Sequence, residues 1–219
     1  MTLSNPIIAR LDASKPKGWF ELIMEGKPPF LVDSEIIVKH SLKKGLEISE
    51  ELYAKIRGEA DIAWLRNKAM QILARQMISE RDLRRKLTNE GRPKWVRDEV
   101  ISLLKRYGYI DDAKYAATFT RTQMSRGPKS RMYLLKKLRE KGISEEHSKA
   151  AVDNEYAGYD EKGAVKDLAL KKYKTVKHLP IQKAKNKVIS FLRSRGFSWN
   201  AISEVVKDIF SDIHDNPEY

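Results

Sequence analysis

Lysine and arginine side chains recur on a short segment that occurs three times, and cations in such a row can bind phosphate or carboxylate groups. The copies span 83–91, 134–142 and 188–196, and their final glycines lie 51 and 54 residues apart. A period of about fifty residues is typical of tandem helical units. The candidate contact residues in the first two repeats are Arg84, Arg85, Lys86, Arg131, Lys136, Lys137, Arg139 and Lys141.

The third copy departs from this pattern, because Ser190 and Phe191 stand where the first two copies carry cations. Its candidate contact residues are Lys183, Lys185, Lys187, Arg193 and Arg195. A run of charges is often only a solvated face, but equivalent helices with few acids between them favour contact with a partner. Aromatic residues are sparse here, so phosphates or carboxylates fit better than stacked bases.

The overall charge agrees with an anionic partner. The chain of 219 residues has a net charge of +13 and a pI near 9.7. Residues 1–58 contribute only +1 of that charge, and the repeats contribute +12. We therefore expect the repeats to attract a polyanion, with nucleic acid first and acidic protein surfaces second.

Asp111 and Asp112 form an acidic pair at a predicted helix start, and a metal-dependent nuclease could use such a pair. Carboxylates at a helix N-terminus also satisfy free N–H groups and the helix dipole. Capping is the favoured interpretation, and the nuclease remains the alternative.

Other catalytic chemistry has little support in the sequence. The four histidines are scattered, and no pair has the helical spacing of a metal site. The chain carries neither a phosphate-binding G-x-x-x-x-G-K-[ST] loop nor a G-x-G-x-x-G turn, and it has no cysteine. We expect a protein that is not an enzyme and needs no cofactor or metal.

The sequence also predicts where the protein acts. No apolar run approaches the roughly 18 residues that a membrane span needs, and residues 1–6 do not begin a signal peptide. We therefore expect a cytoplasmic protein without a membrane partner, and a monomer.

Residues 1–58 predict a small α+β domain. Short apolar runs at 6–11, 18–24 and 30–32 predict strands, with a hairpin turn at 25–27 and the proline-flanked third run at an edge. Two short helices are expected next, from Asp33 to about Lys43 and from Ser49 to about Arg57.

Helical periodicity then predicts three repeats of three helices, at 59–109, 110–158 and 159–213, followed by a loose tail at 214–219. Each triplet must bury its apolar stripes together, because helices of about a dozen residues are marginal alone. The predicted fold is mainly α, with the repeats forming an elongated curved body behind the strand-containing domain.

The first two repeats resemble the RecX regulators of bacterial recombination. The resemblance rests on SERDLRRKL at 79–87 ending at Gly91, on GYIDD at 108–112, and on Gly127-Pro128 leading to Leu134 and Leu138. It covers residues from about 60 to 210, strongly in the first two repeats and weakly in the third. No single motif is specific, but their order and spacing together are.

This resemblance implies a non-enzymatic modulator that binds RecA, lies along the groove of the RecA–DNA filament, and inhibits its recombinase, ATPase and coprotease activities. Some members also bind single- or double-stranded DNA directly. The contact role carries over to the matching cations, and less firmly to those of the third repeat. A plain DNA-binding helical protein is the competing hypothesis, although it should present Asn, Gln and Arg to base edges from one recognition helix.

Overall fold

The computed structural model describes residues 5–215, and their side chains as far as residue 211. The chain forms two compact units that divide between Ile110 and Asp111. The expected mainly α architecture, with three-helix domains behind a small sheet, is confirmed.

The first unit begins with a three-stranded antiparallel sheet in the order β1-β2-β3. The strands are β1 (Ile8–Ser14), β2 (Trp19–Met24) and β3 (Phe30–Asp33), so the third run does lie at an edge. Alternating apolar residues such as Leu22 and Val32 are fully buried there. The sheet therefore has its own hydrophobic core, shared with the helices that follow.

Helix α1 (Ser34–Lys39) begins where it was expected, with Asp33 as its cap, but it ends four residues before the expected Lys43. The backbone N–H of Leu42 donates to the carbonyl oxygen of Ile37 at 2.9 Å, and Ser41 has a positive φ of 50°. This is the geometry of a left-handed helix terminus. This terminus stops α1 before Lys43 and buries the side chain of Leu42.

Helix α2 (Glu50–Leu73) begins after the predicted cap Ser49 and continues without a break for 24 residues. The expected helix end near Arg57 is therefore wrong, and the boundary predicted at 58 lies inside a helix. Gly58 is tolerated because it faces the ring of Trp95, where an added Cβ would lie 3.0 Å from the indole. The sheet and the first repeat thus share one helix.

The first repeat is completed by α3 (Glu80–Thr88) and α4 (Lys94–Arg106), which pack with the second half of α2. Ser79 caps α3, since its hydroxyl accepts the backbone N–H of Asp82 at 3.3 Å.

The second unit contains two further triplets. The first comprises α5 (Asp112–Ser125), α6 (Arg131–Glu140) and α7 (Glu145–Tyr156). The second comprises α8 (Glu161–Val176), α9 (Ile181–Ser194) and α10 (Trp199–Asp215). Each triplet encloses its own apolar cluster. The tail predicted at 214–219 is helical through Asp215, and residues 216–219 lie outside the described part of the chain.

Candidate partner-binding surface

The three repeated basic segments lie on equivalent helices, α3, α6 and α9. Their paired apolar residues are all buried, so the face of each helix that carries them packs against the core of its own repeat. The buried pairs are Leu83 and Leu87, Leu134 and Leu138, and Val188 and Leu192. The glycine that ends each segment has the positive φ of a left-handed helix terminus, with values of 67°, 77° and 83° at Gly91, Gly142 and Gly196.

Arg84 in α3 is committed to carboxylates of its own unit. Its Nε donates to Glu80 at 2.8 Å and its Nη1 donates to Asp98 at 2.5 Å. Burial by itself would raise the pKa of Glu80, but hydrogen bonds from Lys105 and Arg84 outweigh it and lower that pKa. The guanidinium of Arg84 therefore joins α3 to α4.

The other two candidate contact residues of α3, Arg85 and Lys86, are more exposed than Arg84. Arg85 is well exposed and pairs with Asp82 at 3.1 Å, a contact of the kind that contributes little to stability. Lys86 lies at a cleft of about 170 Å³ between α2 and α3, together with Lys68 and Arg75. Sequence reasoning missed the last two cations because they precede the repeated segment.

In α6, ion pairs hold two of the predicted contact residues. Arg131 pairs with Asp153, and Lys137 donates to Glu140 at 2.7 Å. The hydrogen bond to Glu140 raises the pKa of Lys137. Lys136 is exposed and makes no ion pair within residues 5–211.

The remaining cations of this helix lie near its C-terminus. Arg139 lies at a cleft of about 120 Å³ beside Glu145 and Lys149. Lys141 is half-buried, and its backbone N–H closes the helix on the carbonyl oxygen of Lys137 at 3.2 Å.

The third repeat keeps most of its cations in solvent. Lys183, Lys187 and Arg193 are exposed on α9, Lys185 is half-buried, and none of them is ion-paired within the described residues. Arg195 differs from these, because its guanidinium lies over the ring of Phe191 at 4.6 Å from the centroid. Phe191, the residue that breaks the basic pattern, therefore supports a cation from the next turn.

Two lysines outside the repeated segments join this surface. Lys129 lies 5.4 Å from the ring centroid of Tyr133, and Lys172 lies 5.7 Å from that of Phe191. Neither was predicted, since the signal is a contact between distant parts of the chain. The one local hint is that Lys129 directly precedes the Ser130 cap of α6.

Asp111 caps α5, as the favoured interpretation predicts. Its carboxylate accepts the backbone N–H of Lys114 at 2.8 Å. Across residues 5–211, no three histidine or acidic side chains cluster closely enough to hold a metal ion. The structure therefore adds no further carboxylate to the pair Asp111 and Asp112.

None of the helices within residues 5–215 combines the length and the apolar character of a membrane span.

Two protein-family models match segments of the second unit, which begins at Asp111. Residues 111–152 match the family model described as the second three-helix domain of RecX, and residues 160–206 match the model of its third three-helix domain. The first range covers α5, α6 and most of α7, and the second covers α8, α9 and the first part of α10.

Comparisons with whole proteins extend along most of the chain. The regulatory protein RecX of Clostridium acetobutylicum is 28% identical over 94% of this chain and 97% of its own length. That of Bacillus licheniformis is 28% identical over 97% of this chain and 81% of its own. A crystal structure of regulatory protein RecX, also 28% identical, matches with a TM-score of 0.66 over 93% of this chain and 99% of that chain.

Proposed function

Because the chain belongs to the RecX family of regulatory proteins, we propose that it binds RecA and the RecA–DNA filament and inhibits recombinase activity. Through that inhibition it modulates recombination and DNA repair in the bacterial cytoplasm. The proposal joins the family membership to the chemistry of the basic helices described above.

One observation carries the proposal: exposed cations on α6 and α9 make no ion pair within the described residues. Lys136, Lys183, Lys187 and Arg193 form this set. Like charges on one small unit repel one another, and an anionic partner removes that repulsion. A filament that carries DNA phosphates offers many anions along its length.

Ion pairing divides the candidate contact residues into two groups. We leave Arg84 out of the proposed contacts, because binding a partner would break its ion pairs with Asp98 and Glu80 and would leave Glu80 with Lys105 alone of the two cations that lower its pKa. Arg85 and Lys137 stay, since exposed ion pairs are weak and can exchange for a phosphate. The contacts that we propose therefore come chiefly from lysines, which bind phosphate without reading bases.

The proposed inhibition needs no catalysis by this chain. The sequence has no phosphate-binding loop, so we expect it to act by occupying RecA and its filament. ATP hydrolysis in the mixture then belongs to RecA.

The decisive experiment measures DNA-dependent ATP hydrolysis by RecA with increasing amounts of the protein. We expect hydrolysis to fall, and we expect no hydrolysis when RecA is omitted. Co-sedimentation with RecA filaments and with naked DNA, at matched salt, separates this proposal from a plain DNA-binding protein. Indifference of RecA to the protein, together with equal binding to naked DNA, would contradict the proposal.

A further inference from the structure

The second and third repeats meet at a junction where cations collect around two aromatic rings. We name the five residues Lys129, Tyr133, Lys172, Phe191 and Arg195 the cation–aromatic seam. All five lie in the second compact unit.

The backbone around the seam is closely packed. The backbone N–H of Ser130 donates to the carbonyl oxygen of Arg195 at 3.1 Å. A Cβ added to Gly196 would stand 2.6 Å from the Cβ of Tyr133 and 2.7 Å from the hydroxyl oxygen of Ser130. The start of α6 and the end of α9 are therefore held together, and the cations on each side are brought into one place.

The charges of the seam are not neutralised within the described chain. Lys129, Lys172 and Arg195 make no ion pair among residues 5–211. Burial, and then the nearby charge of Arg195, lower the pKa of the Lys129 amino group. Burial removes water from these cations, and their like charges repel one another. Both effects favour the binding of an anion.

The guanidinium of Arg195 also has N–H donors that the described chain does not use. Its Nη1 donates to the carbonyl oxygen of Pro128 at 3.5 Å, at the outer limit for such a bond. Its Nε is buried without a partner among the described residues. A guanidinium carries five N–H donors, so most of its donors are not used by the chain itself.

Cation–π contacts alone do not account for this arrangement. Such a contact contributes about 0.5–1 kcal/mol at an exposed site, which offsets part of the repulsion but neutralises no charge. The two rings are already covered by the cations, with Lys129 and Lys137 at Tyr133 and Lys172 and Arg195 at Phe191. They are thus poorly placed to stack on a base, and the ligand must be recognised by its charge.

We propose that the cation–aromatic seam is a binding site for the phosphodiester backbone of DNA, with Lys129, Lys172 and Arg195 as its cations and without preference among bases. This deepens the proposed function and rests on it for the biological source of the DNA. Lys129 and Lys172 are contact residues that the repeated segments alone would not include.

The test measures binding of the full chain to a fluorescein-labelled oligothymidylate and to a mixed-sequence strand of equal length, by anisotropy over a range of salt. Lys129→Gln should weaken binding about three- to tenfold, and should reduce the slope of log K against log salt by about 0.7, the value for one contact with a single-strand phosphate. Lys129→Gln combined with Lys172→Gln should reduce the slope by about 1.4. Both strands should respond alike.

Two variants control this experiment. Lys129→Arg keeps the charge and should retain the wild-type slope. Lys207→Gln removes an exposed charge from α10, outside the seam, and should change the slope less than Lys129→Gln does. Circular dichroism checks that each variant folds.

The seam and the proposed function fail differently. The seam proposal is overturned if the wild-type protein does not bind the strand at low salt, or if the seam variants keep the wild-type salt slope. Either result would do so even if the protein inhibits RecA. The opposite result is a smaller salt slope in the seam variants while the wild-type protein leaves ATP hydrolysis by RecA unchanged. That result would support the seam and overturn the proposed function.

Discussion

Gly196 and Ser130 lie so close together that a Cβ on the glycine would stand 2.7 Å from the serine hydroxyl oxygen. The contact joins the end of α9 to the cap of α6, and it leaves no room for a side chain. The glycine that terminates the third basic segment is therefore also a packing position between two repeats.

Gly196→Ala should destabilise the protein for two reasons. The residue has a φ of 83°, which costs an L-residue about 1–2 kcal/mol, and its Cβ would also meet Tyr133 at 2.6 Å. Overpacking of this kind typically costs about 1–3 kcal/mol more. Urea unfolding, followed by circular dichroism, measures the loss.

Gly158→Ala is the matched control, because Gly158 has a φ of 74° and nothing within 4 Å of an added Cβ. It should lose only the backbone contribution. Equal losses in the two variants would show that the close approach to Ser130 and Tyr133 carries no energetic weight.

Lys136→Glu combined with Lys137→Glu tests the basic face of α6. Exposed charges contribute little to folding, so the melting temperature should stay nearly unchanged. Binding to the RecA–DNA filament should weaken at least about tenfold, and its salt slope should flatten by roughly one unit or more if the lysines meet phosphates. Filament co-sedimentation over a salt series measures both quantities.

Lys166→Glu combined with Lys207→Glu imposes the same change in net charge at exposed positions on α8 and α10. If this control weakens filament binding less than the α6 variant does, the loss of binding comes from the position of the charges on α6 and not from the change in net charge. Weaker binding of the α6 variant with an unaltered slope would instead indicate carboxylates of RecA as the contact. Unchanged binding would mean that the face is only solvated.

Asp111 distinguishes capping from nuclease chemistry. Asp111→Asn should cost little stability because asparagine caps about as well as aspartate, whereas Asp111→Ala should cost about 1 kcal/mol. Filament binding should be unchanged in both variants. Magnesium-dependent DNA cleavage by the wild type that disappears in Asp111→Asn would favour the nuclease.

The lowered pKa of Glu80 predicts a contribution to stability that acid removes. Its pKa lies below the ordinary value of 4.5, so the unfolded chain binds its proton more readily than the folded chain does. The stability that it contributes is therefore present above about pH 4.5 and is lost as the pH falls through the lower folded pKa. Glu80→Gln should make the free energy of unfolding less steep with pH in this range.

Urea unfolding at several pH values from about 6 to 3 measures that slope. Glu99→Gln, a neighbouring exposed acid for which the structure gives no ion pair, provides the control and should leave the slope closer to wild type. A Glu80→Gln slope identical to the wild type would contradict the role assigned to the contacts of Glu80 with Lys105 and Arg84.

Local signals in the sequence determined most of the helical units. Ser79 and Ser144 cap their helices, because a serine hydroxyl satisfies an N–H group only three residues away. The glycines at 91, 142 and 196 adopt positive φ for an equally local reason. The buried leucines of α3 and α6 follow from helical spacing alone.

Contacts between distant residues were decided only by the tertiary structure. The helix predicted to end at Arg57 continues through Gly58, whose missing side chain leaves room for the ring of Trp95, and no local signal encodes that neighbour. Likewise, Arg84 and Lys136 belong to the same repeating pattern, yet only Arg84 meets a carboxylate of another helix. Charge can be counted from a sequence, but its neutralisation depends on distance, and distance is set by how the helices pack.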